Sequence, residues 1–315
     1  MSPSQPEWED RIGRRLKLRD LHVLAEVVRC GSMAKAAAHL AMSQPSVSEA
    51  MASLEAAIGV RLLDRHAQGV AATPYADVLI KRSRAIFDEL HQGVQEIEFL
   101  SNPTVGEIRI ACPEFVAAGI LPRAIATFSE KYPRVVFHVM HQDTTTLKNQ
   151  ELQDRTVDMV LSRVPDAFAD EGVNVEALFH EPHWVIVGMK SPWASRRKIR
   201  LEHLCDEPWV LPPSPVIQNL LNSSLESRGV RLTNVCVTSA SLLLRTELLT
   251  TGRFISVMHA SILVQNAKTW GLKRLNIDVE LQSPPISLLT LKRRVPSPVV
   301  QRFIEHLRSI AASSR

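Results

Sequence analysis

Gly31-Ser-Met-Ala-Lys-Ala-Ala-Ala-His-Leu-Ala-Met-Ser-Gln-Pro-Ser-Val-Ser48 decides the reading of this chain. A short Ala-rich helix precedes a tight turn, and the next helix opens on small polar residues. Such residues bury little apolar area. A helix that begins this way is suited to lie with its N-terminus on phosphates and base edges. Upstream, Leu18, Leu21, Leu24 and Val28 repeat at three and four residues, which predicts one apolar helix face. Gly31 is placed to end that helix in a left-handed conformation. Ser32 is placed to cap the next, whose Ala34, Ala36, Ala37 and Ala38 allow close helix–helix approach. Ser43 is the expected cap of the third helix, and Pro45 is tolerated in its first turn. Val47, Met51, Leu54 and Ile58 form its expected buried stripe, which leaves Gln44, Pro45, Ser48 and Glu49 facing outward. Residues 61–65 and 70–73 flank Gly69 and read as a β-wing. The spacing reads as a winged helix-turn-helix over 18–74, after an N-terminal extension at 1–17, with double-stranded DNA as partner; the same spacing also fits an ordinary three-helix core that touches no DNA.

Charge agrees with that partner. Residues 11–84 hold twelve Lys and Arg against six Asp and Glu, a surplus larger than the +4 of the whole chain. A local basic surplus suits a polyanion. Mean hydropathy is near zero and 45% of residues are hydrophobic, which suits two or three globular domains in 315 residues. No apolar run reaches the ~18 residues of a membrane span. Residues 1–10 lack the charged-then-apolar order of a signal peptide, so a cytoplasmic location without membrane association is expected. Cys30, Cys112, Cys205 and Cys236 show no metal or CxxC spacing and are expected to be reduced and mostly buried. Cys112 is the one placed near a possible cleft, where a redox role would be conceivable.

Thr73 and Pro74 open a long helix over 75–101. Its Leu79, Ile86, Leu90, Val94, Ile97 and Leu100 are spaced by three, four or seven. Such a stripe makes either a coiled-coil seam or a face packed on its own chain. Pro103 and Gly106 then mark a hinge at 102–106.

From 107 onward the pattern changes period. Strands near 107–112, 135–140 and 157–162 alternate with helices near 121–132 and 145–154, a βαβαβ order that predicts a parallel sheet. From 164 it restarts, with further strands near 173–178, 183–189, 208–211, 231–237, 254–258 and 285–292. Helices are expected near 218–228, 242–250 and 299–311. We divide this α/β domain, 107–315, into lobe I at 107–163 with 265–315, and lobe II at 164–264. Ligands in such sheets bind beyond the C-terminal strand ends, where the halves meet. Those ends carry Glu114, Phe115, Thr144, Thr145, Arg163, Ser214, Thr238 and Ser239. Thr144 and Thr145 begin a helix that offers N–H groups to an anion, and Arg163 can pair a carboxylate in bidentate fashion. Each hydroxyl taken singly reads as a helix cap.

The residues Gly31-Ser32, Ala36-Ala37, Leu40, Ser43-Gln-Pro-Ser-Val-Ser48, Leu54-Glu55, Gly59, Leu62-Leu63, Arg65 and Thr73 resemble, in order and over about sixty positions, the LysR-type transcriptional regulators. A looser match continues through Leu121-Pro122, Tyr132-Pro133, Val157-Asp158, Glu207-Pro208 and Gly252. The resemblance implies a multidomain chain: an all-α winged helix-turn-helix with a long linker helix, then a two-lobed α/β domain like the periplasmic binding proteins. It implies DNA contacts from Ser32, Ser43, Gln44, Pro45, Ser48, Glu49, Arg65, Gln68 and Thr73. It favours the seam reading of the linker helix, hence dimers, and a dimer of dimers through the effector domains. It also implies a small-molecule effector between the lobes, a carboxylate or hydroxylated compound, and an influence on RNA polymerase through DNA bending.

Four departures stand out. Glu49 and Gln68 occupy positions where the family often has basic residues. Residues 155–158 read Arg-Thr-Val-Asp where Gly-x-Leu-Asp is usual. The loop after the first strand, Pro113-Glu-Phe-Val-Ala-Ala118, lacks the usual hydroxyl, and Glu114 there would repel a simple anion. The rival reading is an enzyme or solute-binding domain fused to a DNA-binding module. GxSxG, GxGxxG, phosphate-loop, HExxH and CxxC signatures are absent, and neither catalytic residues nor a metal or cofactor is expected. His138 and His141 point to opposite faces of a strand and form no pair.

Overall fold

The computed structural model describes residues 15–66, 69–141, 150–164, 170–277, 279 and 281–313. The chain forms two compact units, divided between Gly93 and Val94.

In the first unit, α1 (Leu18–Cys30), α2 (Met33–His39) and α3 (Gln44–Ile58) pack around Leu21, Leu24, Val27, Ala36, Val47, Met51 and Leu54. The buried face of α1 is Leu21, Val23, Leu24 and Val27, whereas Leu18 is exposed and Val28 only partly covered. Gly31 and Gly59 end α1 and α3 in the left-handed region, at φ 62° and 86°. The small side chains of Ala36 and Ala37 are both buried, as close helix approach requires. A two-stranded wing, β1 (Leu63–His66) with β2 (Gly69–Ala72), follows in antiparallel register.

The helix α4 (Pro74–Ser101) is 28 residues long, about 42 Å at helical rise. Leu79 does not belong to an open stripe. It packs with Ile80 and Phe87 on the winged-helix core. The exposed stripe begins at Ile86 and runs through Leu90, Val94, Ile97 and Leu100, all between 41% and 82% exposed.

The second unit holds two five-stranded sheets. In the first, β3 (Val105–Cys112) lies parallel to both β4 (Arg134–His141) and β5 (Met159–Arg163). The remaining strands β12 (Ile286–Leu291) and β6 (Val173–Phe179) complete the order β4-β3-β5-β12-β6, with β12 antiparallel to both neighbours. Between β3 and β4 lie α5 (Glu114–Ala118) and α6 (Ile120–Lys131), and α7 (Gln150–Gln153) precedes β5. The closing helix α11 (Pro298–Ser313) covers the same sheet, and Phe128, Phe137 and Phe303 meet edge to face in the core.

The second sheet has the order β11-β7-β10-β8-β9, from β7 (His183–Gly188), β8 (Trp209–Leu211), β9 (Val235–Thr238), β10 (Ile255–His259) and β11 (Leu272–Arg274). Helices α8 (Pro215–Glu226), α9 (Leu242–Thr250) and α10 (Ala260–Trp270) flank it. Alternation along β7 sends Val185 and Val187 into one core and Ile186 into the other, as the strand period demands.

Strand pairing corrects the lobe limits. β6 lies beyond residue 164 yet joins the first sheet, and α10 continues past residue 264 into β11, which pairs with β7 of the second. The chain therefore crosses between lobes at 180–182 and again at 282–285. The crossings are held together by the His183 N–H donating to the Leu281 carbonyl at 2.8 Å. Helix α10 escaped the sequence reading because its apolar positions continue directly from β10.

Candidate functional site

The candidate reading face of the first unit is assembled by caps. Ser43 Oγ accepts the Ser46 N–H at 3.3 Å, and Ser32 Oγ accepts the Lys35 N–H at 3.5 Å. With Val47, Met51 and Leu54 buried, α3 presents Ser43, Gln44, Pro45 and Glu49 exposed and Ser48 half-buried. Arg65 is exposed on the wing. Thr73 is different: it is buried, its hydroxyl donates to the Arg61 carbonyl at 3.0 Å, and its oxygen caps α4 by accepting the Ala76 N–H. It holds the wing to the helix and has little surface left for a phosphate. Gln68 lies outside the described residues.

Two wing supports were not recognised from sequence. Glu55 Oε1 accepts the N–H groups of Leu62 and Leu63, at 2.7 and 3.2 Å, and so fixes where β1 begins. The Val70 N–H donates to the Gly31 carbonyl at 2.9 Å. A Cβ on Gly69 would meet that carbonyl oxygen at 2.5 Å, so the wing lies against the α1–α2 turn only because residue 69 is glycine.

The second unit gathers its candidate residues where the two crossings meet. Arg163, the last residue of β5, donates to the Pro284 carbonyl of one crossing and to the Glu181 carbonyl of the other. Its Nη2 also lies 3.1 Å from His259 Nδ1 and 3.7 Å from the Glu181 carboxylate. Because guanidinium only donates, His259 Nδ1 is the acceptor and its proton sits on Nε2. Burial pulls the Arg163 pKa down to about 10, against the pull of Glu181, so it stays charged. Burial, with the Arg163 charge beside it, lowers His183 to about 3. Burial also holds His259 well below its ordinary value, with His183, Arg163 and Arg245 acting in the same direction. Both imidazoles are neutral at pH 7. Phe115 stacks on His259 at 4.2 Å, and His183 lies at 4.2 Å on a tilted plane.

Arg163 was expected to grip an effector carboxylate. Instead its guanidinium is engaged by the hinge itself, with only Nε left unpartnered. Glu114 was expected to face the cleft as a free charge. Its Oε2 accepts the Leu242 N–H at the start of α9, at 2.8 Å. Ser214 Oγ accepts the Ile217 N–H and Ser239 Oγ the Ser241 N–H, so both act as local caps. Thr238 is exposed at the end of β9. Thr144 and Thr145 lie outside the described residues.

Cys112 is buried in the lobe I core, and burial raises its thiol to about 11, the opposite of a reactive thiolate. The expectation of mostly buried cysteines fails elsewhere: Cys30 and Cys205 are half-buried and Cys236 is exposed. Among the described residues, no group of His, Cys, Asp and Glu has metal-holding geometry, and no helix is long and apolar enough to cross a membrane.

Comparison with known proteins adds to this geometry. Residues 18–77 match the profile described as the bacterial regulatory helix-turn-helix protein, lysR family. Residues 101–312 match the LysR substrate binding domain. The chain is 29% identical over 240 residues to the HTH-type transcriptional regulator TdcA of Escherichia coli K12, covering 74% of this chain and 76% of TdcA. It is 24% identical over 302 residues to the regulator PcaQ of Agrobacterium fabrum, covering 95% and 96%. Among solved structures it shares the fold of CbnR, at TM-score 0.62 and 21% identity over 94% of this chain and 99% of that one. A full-length OxyR from Pseudomonas aeruginosa gives TM-score 0.64 and 19% identity over 94% of both. CbnR has also been solved with its target DNA, with TM-score 0.54 to this chain.

Proposed function

Because this chain belongs to the LysR family of transcriptional regulators, we propose that it works as a cytoplasmic dimer of dimers that reads its operator with the N-terminus of α3. It is a DNA-binding transcriptional regulator with an effector-binding domain, and the reading of an enzyme fused to a DNA-binding module is set aside. The observation that carries the α3 assignment is the division of that helix. Val47, Met51 and Leu54 are buried, while Gln44, Pro45 and Glu49 stand exposed just beyond a capped N-terminus. Such an end offers N–H groups to phosphates and short side chains to base edges. Ser43, Ser48, Ser32 and Arg65 complete the contact surface, and Gln68, outside the described residues, is counted with them from the family resemblance.

The apolar stripe Ile86, Leu90, Val94 and Ile97 pairs with its counterpart on a second copy. Large apolar side chains in a row on a long polar helix call for a partner. Paired α4 helices then set two reading heads about 34 Å, or a multiple, apart along the DNA. An effector between the lobes of each regulatory unit changes the geometry of the assembly, and with it DNA bending and the access of RNA polymerase. To act at all, the effector must bind one of the two shapes more tightly than the other.

Fluorescence anisotropy with DNA from upstream of the protein's own gene tests the reading head. Specific binding that truncation of residues 11–84 abolishes is expected, and binding that survives the truncation removes the head from the mechanism. Sedimentation of Leu90→Asp tests the seam. A dimer of dimers that stays intact refutes it.

A further inference from the structure

Glu114 is the residue that the proposed function leaves unexplained. It stands at the first position of α5 in lobe I, but its carboxylate accepts the backbone N–H of Leu242 at 2.8 Å, across the cleft at the first residue of α9 in lobe II. Helix α9 has nine residues, and its capping serine, Ser241, already serves the Leu244 N–H. Glu114 is thus a second, foreign acceptor at this helix start, where free N–H groups and the helix dipole favour an anion.

A second observation points to the same place. Arg245, one turn along α9, is only 8% exposed, feels the charge of Glu114, and has an Nε without a hydrogen-bond partner. Its neighbour Thr246 is 5% exposed with its hydroxyl unpartnered. Burial lowers the Arg245 pKa while Glu114 acts against it. A buried guanidinium Nε–H and a buried hydroxyl without acceptors are costly unless something else meets them.

We propose that the α9 N-terminus with Arg245 and Thr246 is a carboxylate site, filled in cis by Glu114, and that a carboxylate-bearing effector acts by displacing Glu114. This rests on the reading of the regulatory unit as an effector-binding domain and adds the chemistry of its ligand. The side chain of Glu114 is a tethered competitor at high effective concentration. It clasps lobe I to lobe II in the empty protein. A second bond between the lobes accompanies the clasp: the Gln265 amide donates to the Gly119 carbonyl at 2.6 Å. Arg163, tied to both crossings, stays as the hinge while the clasp opens. The inserted carboxylate takes over the Leu242 N–H and gives Arg245 and Thr246 the acceptors they lack. The lobes then part on the clasp side, which is the shape change a regulator needs.

The test uses the full-length chain and sodium acetate as probe, with acetamide and sodium chloride as controls. Hydrogen exchange is read over the first turn of α9. Glu114→Ala is expected to speed exchange there about tenfold, the loss of a charge-assisted bond. Acetate should restore protection in that variant, whereas the wild type, already protected by its tethered Glu114, should show no change at the same concentrations. Neither control should restore it, and adding Arg245→Met should abolish the acetate effect. Glu114→Gln keeps the size and an acceptor oxygen, and should gain acetate sensitivity in part even if the alanine variant folds poorly. Acetate that protects all variants at one concentration, or none, reduces Glu114 to a structural cap and overturns the proposal. Operator binding by the wild type in the same buffers separates the two levels. If DNA is bound while acetate does nothing in Glu114→Ala, only the carboxylate site falls. If DNA is never bound, the wider reading falls with it.

Discussion

The start of α3 and the cleft between the lobes treat polar residues in opposite ways. Gln44, Pro45 and Glu49 lie exposed, and only Ser43 and Ser46 bond to one another. Where the lobes meet, Arg163, Glu181 and Glu114 are all drawn into contacts of the protein with itself. A surface that meets a rigid polyanion has its groups ready before the partner arrives. A sensor must instead hold one shape until a ligand makes another more stable, so its polar groups serve as the internal bonds that a ligand competes with. Substitutions in the two places should therefore act on different quantities.

The largest effect is expected at the hinge. Arg163→Met removes the cation beside Glu181, whose carboxylate is 4% exposed with Oε2 already lacking a hydrogen bond. An uncompensated buried charge costs about 3–5 kcal/mol. Denaturant unfolding of the full chain should show the regulatory transition shifted by that amount. A shift below about 1 kcal/mol would mean that the hinge is polar decoration. The reading head should respond the other way. Gln44→Ala should weaken operator binding by about 1–3 kcal/mol in anisotropy titrations, the range for a side chain at a base edge. Its melting temperature should stay within the scatter of a surface substitution. Equal losses of stability from both variants would erase the contrast.

That contrast also explains which features were legible in the sequence. Gly31, Ser32, Ser43, Pro45 and Gly59 act within four residues of themselves, and spacing alone placed their roles. The parallel run of β3, β4 and β5 was likewise carried by local period. The lobe limits were not, because β6 pairs with β12 more than a hundred residues away. The partner of Glu114 lies 128 residues off and those of Arg163 lie 18, 96 and 121 residues off, beyond any periodicity. Leu79 had the right spacing for the seam, but tertiary packing drew it into the winged-helix core. Which cleft residues face a ligand was therefore hidden, although the identity of the strand ends was not.

Protons offer a smaller and reversible way to probe the hinge. His183 has a pKa near 3 in the folded protein, against 6.5 when it is free. The unfolded chain takes up the proton first as pH falls. The stabilising contribution is complete above about pH 6.5 and declines between there and pH 3. At pH 5.5 the loss from this one group is about 1 kcal/mol. The regulatory transition should move by at least that much between pH 7.5 and 5.5, and His183→Gln should reduce the dependence. His259, depressed by the same burial, adds in the same direction. A pH-independent transition would place both imidazoles in water rather than in the hinge.

The smallest effect concerns a departure from the family pattern. Residue 155 is Arg in this chain where Gly is usual, and its backbone takes φ 58°, in the left-handed region. The position demands that angle. The Arg155 N–H closes onto the Leu152 carbonyl at 2.9 Å and the Thr156 N–H onto that of Glu151, so the chain turns sharply out of α7 into β5. The turn delivers Asp158, whose carboxylate accepts the Arg109 N–H at 2.7 Å and Arg294 Nη2 at 2.7 Å. That carboxylate joins β3, β5 and the segment after β12, so the turn cannot relax without releasing a buried ion pair. Arg155 therefore bears a conformational cost of about 1–2 kcal/mol relative to glycine. Glycine gives back about half of that through the greater freedom of its unfolded chain. Arg155→Gly should stabilise the regulatory unit by about 0.5–1 kcal/mol in denaturant titrations, with the Asp158 contacts intact. The arginine side chain has contacts of its own, among them Nη2 to the Arg293 carbonyl at 3.4 Å, and the glycine variant gives these up, so the gain holds where relief of the turn outweighs them. A destabilised glycine variant would reverse that ranking and make the arginine contact, not the turn, the reason that this chain departs from its relatives.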